Sequence, residues 1–175
     1  MTWSEYAGLA QRTSSTKTPE DKVGHGVLGL IGEAGEIIDI IKKQKYMGMP
    51  EETAHEKLLD EAGDFAWYIV ELCTGLGYNV DEVMSDAQEY GCLNESLEEA
   101  AVNLVGMIAD VHYANSDALS EDIMFDDVCD IACHFMSVLD FANINIEAMK
   151  EHNIAKLRKR YPEGFSAERS NARYQ

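Results

Sequence analysis

Two short acidic tetrads stand out among the residues whose chemistry depends on spacing: Glu33-Ala34-Gly35-Glu36 and Glu61-Ala62-Gly63-Asp64. In a helix, side chains three apart project from one side, so each tetrad aims two carboxylates together. Leu30, Ile37 and Ile40 stand about a turn from the first pair, and Leu58, Phe65 and Tyr68 from the second. Both pairs therefore flank an apolar stripe and point towards a helix–helix seam. Four carboxylates at one seam repel, and bare burial costs roughly several kcal/mol per ion. Protonation or a hard divalent cation relieves this. Mg²⁺ takes oxygen ligands octahedrally and keeps waters and substrate phosphates in its shell. Carboxylates from facing helices are one way a bundle builds such a site. A single ExxE is more often a solvated charge pair on an amphipathic helix; its repetition on two apolar stripes favours the metal.

Two long helices must position these acids. The first is expected to start within 21–25 and to end within 43–47, where Gly48 and Pro50 stop it. The second is expected over 51–74, closed by Gly75-Leu76-Gly77. Gly in a helix interior costs about 1 kcal/mol relative to Ala, so Gly29, Gly32, Gly35 and Gly63 point to close backbone approach at the seam. Lys42, Lys43 and Lys45 suit the negative end of the first helix, and Lys43 is also a candidate to face a phosphate. Around this pair the pattern places a short helix over 3–11 capped by Ser4, a loop over 12–20 and a short helix capped by Asp81. Further helices are expected over 96–114, 120–141 and 145–160, with a turn at 115–117. No hairpin signal appears, and the fold class is all-α.

The 175 residues suit one domain with a proper core, and 46% hydrophobic content excludes a disordered acidic tail. A formal net charge of −18 disfavours duplex nucleic acid and anionic membranes as partners and favours cations. No apolar run is long enough to cross a bilayer, and the N-terminus lacks a basic–apolar signal. The four cysteines, Cys73, Cys92, Cys129 and Cys133, fit neither a redox CxxC nor a zinc knuckle. Cys129, Cys133 and His134 with His112 make a weak zinc set, against the commoner reading of buried free thiols. A reduced, cytoplasmic protein is expected.

An internal repeat is discernible. "LIGEAGE" from Leu30 lies on "LVGMIAD" from Leu104, and "DEAGDFAWYIVEL" from Asp60 on "DDVCDIACHFMSVL" from Asp126. Met107 replaces the first glutamate, while Asp110, Asp127 and Asp130 take the other acidic places, so the second copy reads as structural. A duplicated hairpin would build a four-helix core within one chain; chance likeness between amphipathic helices accounts for the match equally well. Positive charge gathers at the other end of the chain, in Lys156, Arg158, Lys159, Arg160, Arg169 and Arg173. Asn153, Lys156 and Arg160 share one helix face, an arrangement suited to a polyphosphate beside a metal.

"LGLIGEAGEIIDIIKK", "EAGDFAWYI" and "NIAKLRKRYPEGF" resemble the MazG-type all-α nucleoside triphosphate pyrophosphohydrolases, as does the opening "EYAGLAQRT". Residues 85–148 fall outside the compact pattern as an inserted helix hairpin, similar to the related dimeric dUTPases with their degenerate second repeat. The resemblance implies a MazG-like helical bundle in a single domain over 1–175, and hydrolysis of a (deoxy)nucleoside triphosphate to the monophosphate and pyrophosphate. It implies Mg²⁺, with Mn²⁺ as a substitute, held by Glu33, Glu36, Glu61 and Asp64, and Glu36 or Glu33 as the catalytic base. Asn153, Lys156, Arg160 and Tyr161 would contact sugar or phosphates, and His25, Trp67 and Tyr68 the base. Trp67 could instead pack against the inserted hairpin. A homodimer or higher homo-oligomer is expected. The alternative is a regulatory module of the same fold that binds a nucleotide or alarmone with little turnover.

Overall fold

The structure, a computed structural model, describes residues 1–114 and 123–171. The expected turn at 115–117, the helix start at Ser120 and Arg173 lie outside them, as do the side chains of His112 and Arg169. The chain is all-α: α1 (Trp3–Ala10) runs into a single 3-10 turn (Gln11–Thr13), followed by α2 (Pro19–Met47) and α3 (Glu51–Leu76). Then come α4 (Val80–Tyr90), α5 (Leu97–Ala114), α6 (Phe125–Phe141), α7 (Ile146–Arg160) and the short α8 (Ala167–Asn171). No strand occurs among the described residues, and no described helix is long and apolar enough to cross a membrane.

Local chemistry explains the main boundaries. Thr18 accepts a hydrogen bond from Asp21 N–H and Pro19 opens α2, so that helix begins earlier than its apolar stripe. Gly48 ends it in the left-handed region at φ 73°, and Gly77 does the same for α3 at φ 74°. Two caps differ from expectation. Thr2, not Ser4, caps α1 in a reciprocal pair with Glu5, and Asn79, not Asp81, caps α4. Asp81 instead accepts from the backbone N–H groups of Trp3 and Ser4 and from the Ser4 hydroxyl, tying α1 to α4.

The three-residue connection after α2 makes α2 and α3 antiparallel neighbours, and this is the most extensive packing in the molecule. The residues between α4 and α7 supply α5 against α2 and α6 against α3 and α4. Phe65 of α3 stacks on Phe135 of α6 with ring centroids 4.7 Å apart. Leu30, Ile37, Ile69, Leu72, Leu104, Ile108, Ile131 and Leu139 are fully buried in this core. The acids of the proposed second copy gather at no site: Asp110 and Asp130 are exposed, and Asp127 accepts the Met124 N–H at the start of α6.

Fully reduced cysteines were expected, and one pair departs from that. Cys92 and Cys133 are joined in a disulfide, while Cys73 and Cys129 are free and buried. Cys92 lies in the α4–α5 connection, where folding brings it to 5.8 Å (Cα–Cα) from Cys133 across 41 residues of sequence. A bonded Cys133 cannot be a zinc thiolate, and His134 faces the Asn94 amide at 3.3 Å, so the zinc set is dismantled.

Candidate functional site

The seam between α2 and α3 holds the acids. Glu33, Glu61 and Asp64, all half-buried, each offer a carboxylate oxygen within 4.8 Å of the others. An octahedral Mg²⁺ with oxygens at about 2.0–2.1 Å spaces its ligand oxygens by about 2.9–4.2 Å. Small rotamer adjustments of the two glutamates therefore suffice. The donor set is all oxygen, with no thiolate or imidazole, and fits a hard cation. Glu36 differs from expectation: it is exposed and outside the triad, though near enough to raise the carboxyls of Glu33 and Glu61. Three of the four acids converge.

Crowding has its electrostatic signature here. Burial, then the charges of Asp64, Glu61 and Glu36, raise the Glu33 carboxyl to about 8, against a lowering by Lys156. Glu61 moves the same way, from burial first and then Asp64 and Asp60. The cluster thus holds a proton at neutral pH where a cation would otherwise be welcome. Lys156 on α7 brings a cation to the cluster: its Nζ stands 2.9 Å from Asp64 Oδ2 and 2.7 Å from Asp60 Oδ1. Asp60 is lowered, because its bonds to Lys156 and His152 outweigh its own desolvation.

Asn153 departs from the expected role. It is fully buried, and its amide is committed at both ends: Nδ2 donates to Asp64 Oδ1 at 3.0 Å and Oδ1 accepts from the Tyr6 hydroxyl at 2.8 Å. Asn153 therefore orients Asp64 and reaches no open surface. Gly63 permits this approach, since a Cβ there would lie 2.9 Å from Asn153 Cβ. Gly29 likewise lets the Tyr68 ring lie on the α2 backbone, where a Cβ would come within 2.1 Å of the ring. Gly32 and Gly35 face open space, so half of the expected close approaches are present.

Beside the triad is a pocket of ≈ 240 Å³. Its lining combines the acids Glu33 and Asp64, the rings of His25, Trp67, Tyr68, Tyr161 and Phe165, and Arg160. The His25 and Tyr68 rings stand edge-on with centroids 5.3 Å apart, and Trp67 meets Tyr68 at 5.0 Å. The Trp67 indole N–H is shared by Ala10 O at 3.2 Å and Thr13 Oγ1 at 3.0 Å, which ties the ring to the N-terminal segment. Tyr161 is held where Arg12 donates to the carbonyls of Tyr161 and Pro162. Lys43 lies outside the pocket, paired with Asp39 on its own helix.

Two contributors escaped sequence reasoning. Tyr6 is fully buried beneath Asn153, and Glu71 is fully buried one turn beyond Trp67. The signal for Glu71 is a lone acid in the apolar run "WYIVELC", on the phase that α3 buries. The chain matches no protein-family model, and no curated protein or solved structure matches it either.

Proposed function

We propose that the protein is a Mg²⁺-dependent pyrophosphohydrolase of (deoxy)nucleoside triphosphates, with Mn²⁺ as a substitute ion. The observation that carries this reading is the shared wall of triad and pocket: Glu33 and Asp64 belong to both. A ligand filling this space would place a polyanionic end at the acids and an aromatic end among His25, Trp67 and Tyr68. The free volume lies below the roughly 300–1,000 Å³ of whole-ligand pockets, which suits a base and sugar with a phosphate tail reaching outward. Glu33, Glu61 and Asp64 would hold the ion, with Asn153 and Tyr6 fixing Asp64. When bound, the ion would neutralise phosphate charge and lower the pKa of an attacking water.

The chain's own groups supply the rest. Arg160, which lines the pocket, would take phosphate oxygens, as would Lys156 on exchanging its bonds to Asp60 and Asp64. Glu36, outside the triad and exposed, would accept the proton of the water that attacks the α-phosphorus as the bond to the pyrophosphate oxygen breaks. A second reading, a binding module with little turnover, is favoured by the displacement of that same Glu36. Pyrophosphate release from a panel of nucleoside triphosphates with Mg²⁺ separates them. Turnover supports the enzyme, metal-dependent binding without release supports the module, and the absence of both turnover and binding ends both readings. Glu36→Gln should lower kcat by roughly 10²–10⁴-fold while metal binding persists; Glu61→Gln should lose both.

A further inference from the structure

Glu71 is a carboxylate on α3 with no exposure to solvent, set against His25, which lines the pocket. It accepts hydrogen bonds from Ser14 Oγ at 2.8 Å, from Thr16 Oγ1 and from Lys22 Nζ at 3.2 Å, and His25 Nδ1 lies 3.3 Å from it. Burial alone would raise this carboxyl. The hydrogen bonds from His25, Thr16 and Ser14 outweigh burial and bring it to about 2. An ionised carboxylate can only accept, so the hydrogen between the two side chains sits on His25 Nδ1. In the neutral imidazole the lone pair is then on Nε2. His25 lines the pocket, and Nε2 has no hydrogen-bond partner among the described residues.

We propose that Glu71 is a positioning residue that presents His25 to the pocket as a hydrogen-bond acceptor, selecting a ligand that offers an N–H donor, such as the amino or imino group of a nucleobase. The same carboxylate anchors the 14–16 strap, whose Ser15 lines the pocket. The identity of the ligand rests on the nucleotide reading above; the setting of His25 does not.

The test has an arm independent of turnover. In wild-type protein at alkaline pH, long-range ¹⁵N–¹H NMR of the histidine rings should show His25 as the Nδ1–H tautomer. An Nε2–H tautomer overturns the proposal whatever the protein hydrolyses. In the kinetic arm, Glu71→Gln should raise KM for the best nucleoside triphosphate about tenfold, the effect of one lost hydrogen bond, and change kcat by less than about twofold. Inhibition by inorganic tripolyphosphate, which has no base, should hold. An unchanged KM, or tripolyphosphate inhibition weakened in step with KM, overturns the proposal. Should Glu71→Gln fail to fold, His25→Phe keeps the ring against Trp67 and Tyr68, removes the lone pair and carries the same kinetic expectation. If the wild type turns over no triphosphate, only the pyrophosphohydrolase reading falls. The tautomer, with nucleoside monophosphate binding followed by tryptophan fluorescence, then decides this one.

Discussion

Glu33 and Glu71 are both acids on buried helix faces, and their surroundings push them in opposite directions. The Glu33 carboxyl rises from its ordinary 4.5 to about 8 because burial disfavours its charge and its neighbours are acids. Between those values the folded chain holds a proton that the unfolded chain has released. Stability of the metal-free protein should therefore fall as pH rises from about 4.5 to about 8, then level. Urea midpoints across that range in chelator check this, and Glu33→Gln should flatten the slope; an unaltered slope would locate the strain elsewhere. For Glu71, lowered from 4.5 to about 2, the sign reverses. Its contribution is present above about 4.5 and fades as pH drops towards 2. Asn153→Ala leaves the Tyr6 hydroxyl only its longer bond to Gly63 O at 3.3 Å and should cost about 1–3 kcal/mol; it should also weaken metal binding by freeing Asp64, which titration calorimetry measures.

At the scale of elements, glycine position distinguishes site from scaffold. Gly29→Ala puts a methyl group into the Tyr68 ring and should raise KM for the nucleotide by at least about tenfold, while circular dichroism shows an intact helix. Gly32→Ala meets nothing and should stabilise the protein by about 0.5–1 kcal/mol without kinetic effect. The four glycines look alike in the sequence, and only the packed partner tells them apart. The long helices were legible because Gly48, Gly77 and the apolar stripes act locally. The caps at Ser4 and Asp81 were misread because each end offers two polar candidates, and the tertiary bond between those residues decides which is free to cap. Three of the four acids were legible from spacing alone. Asn153 was assigned to substrate because its partner Tyr6 lies 147 residues away, beyond any periodic signal.

For the molecule as a whole, the net charge of −18 favours cations over anionic partners, and the Glu33, Glu61 and Asp64 carboxylates stand close together within it. Mg²⁺ at a hundred times its dissociation constant should add about 2.7 kcal/mol, a rise of roughly 5–10 °C in Tm for a chain of this size. Glu61→Gln should abolish the rise while Lys43→Ala leaves it, since Lys43 is committed to Asp39. Thermal melts with and without the ion decide it. The pocket draws its walls from both flanks of the bundle: Thr13 and Ser15 come from before α2, Tyr161 and Phe165 from after α7. Phe165 N–H donates to Arg12 O, and Arg12 reaches back to Tyr161 O, clasping segments about 150 positions apart. On a translating ribosome the acids of α2 and α3 can meet as soon as those two helices emerge, but the recess beside them has no far wall until residue 165 is out. Nascent chains must pass through a stage in which the acids of α2 and α3 already face one another while the recess beside them is still open on one side.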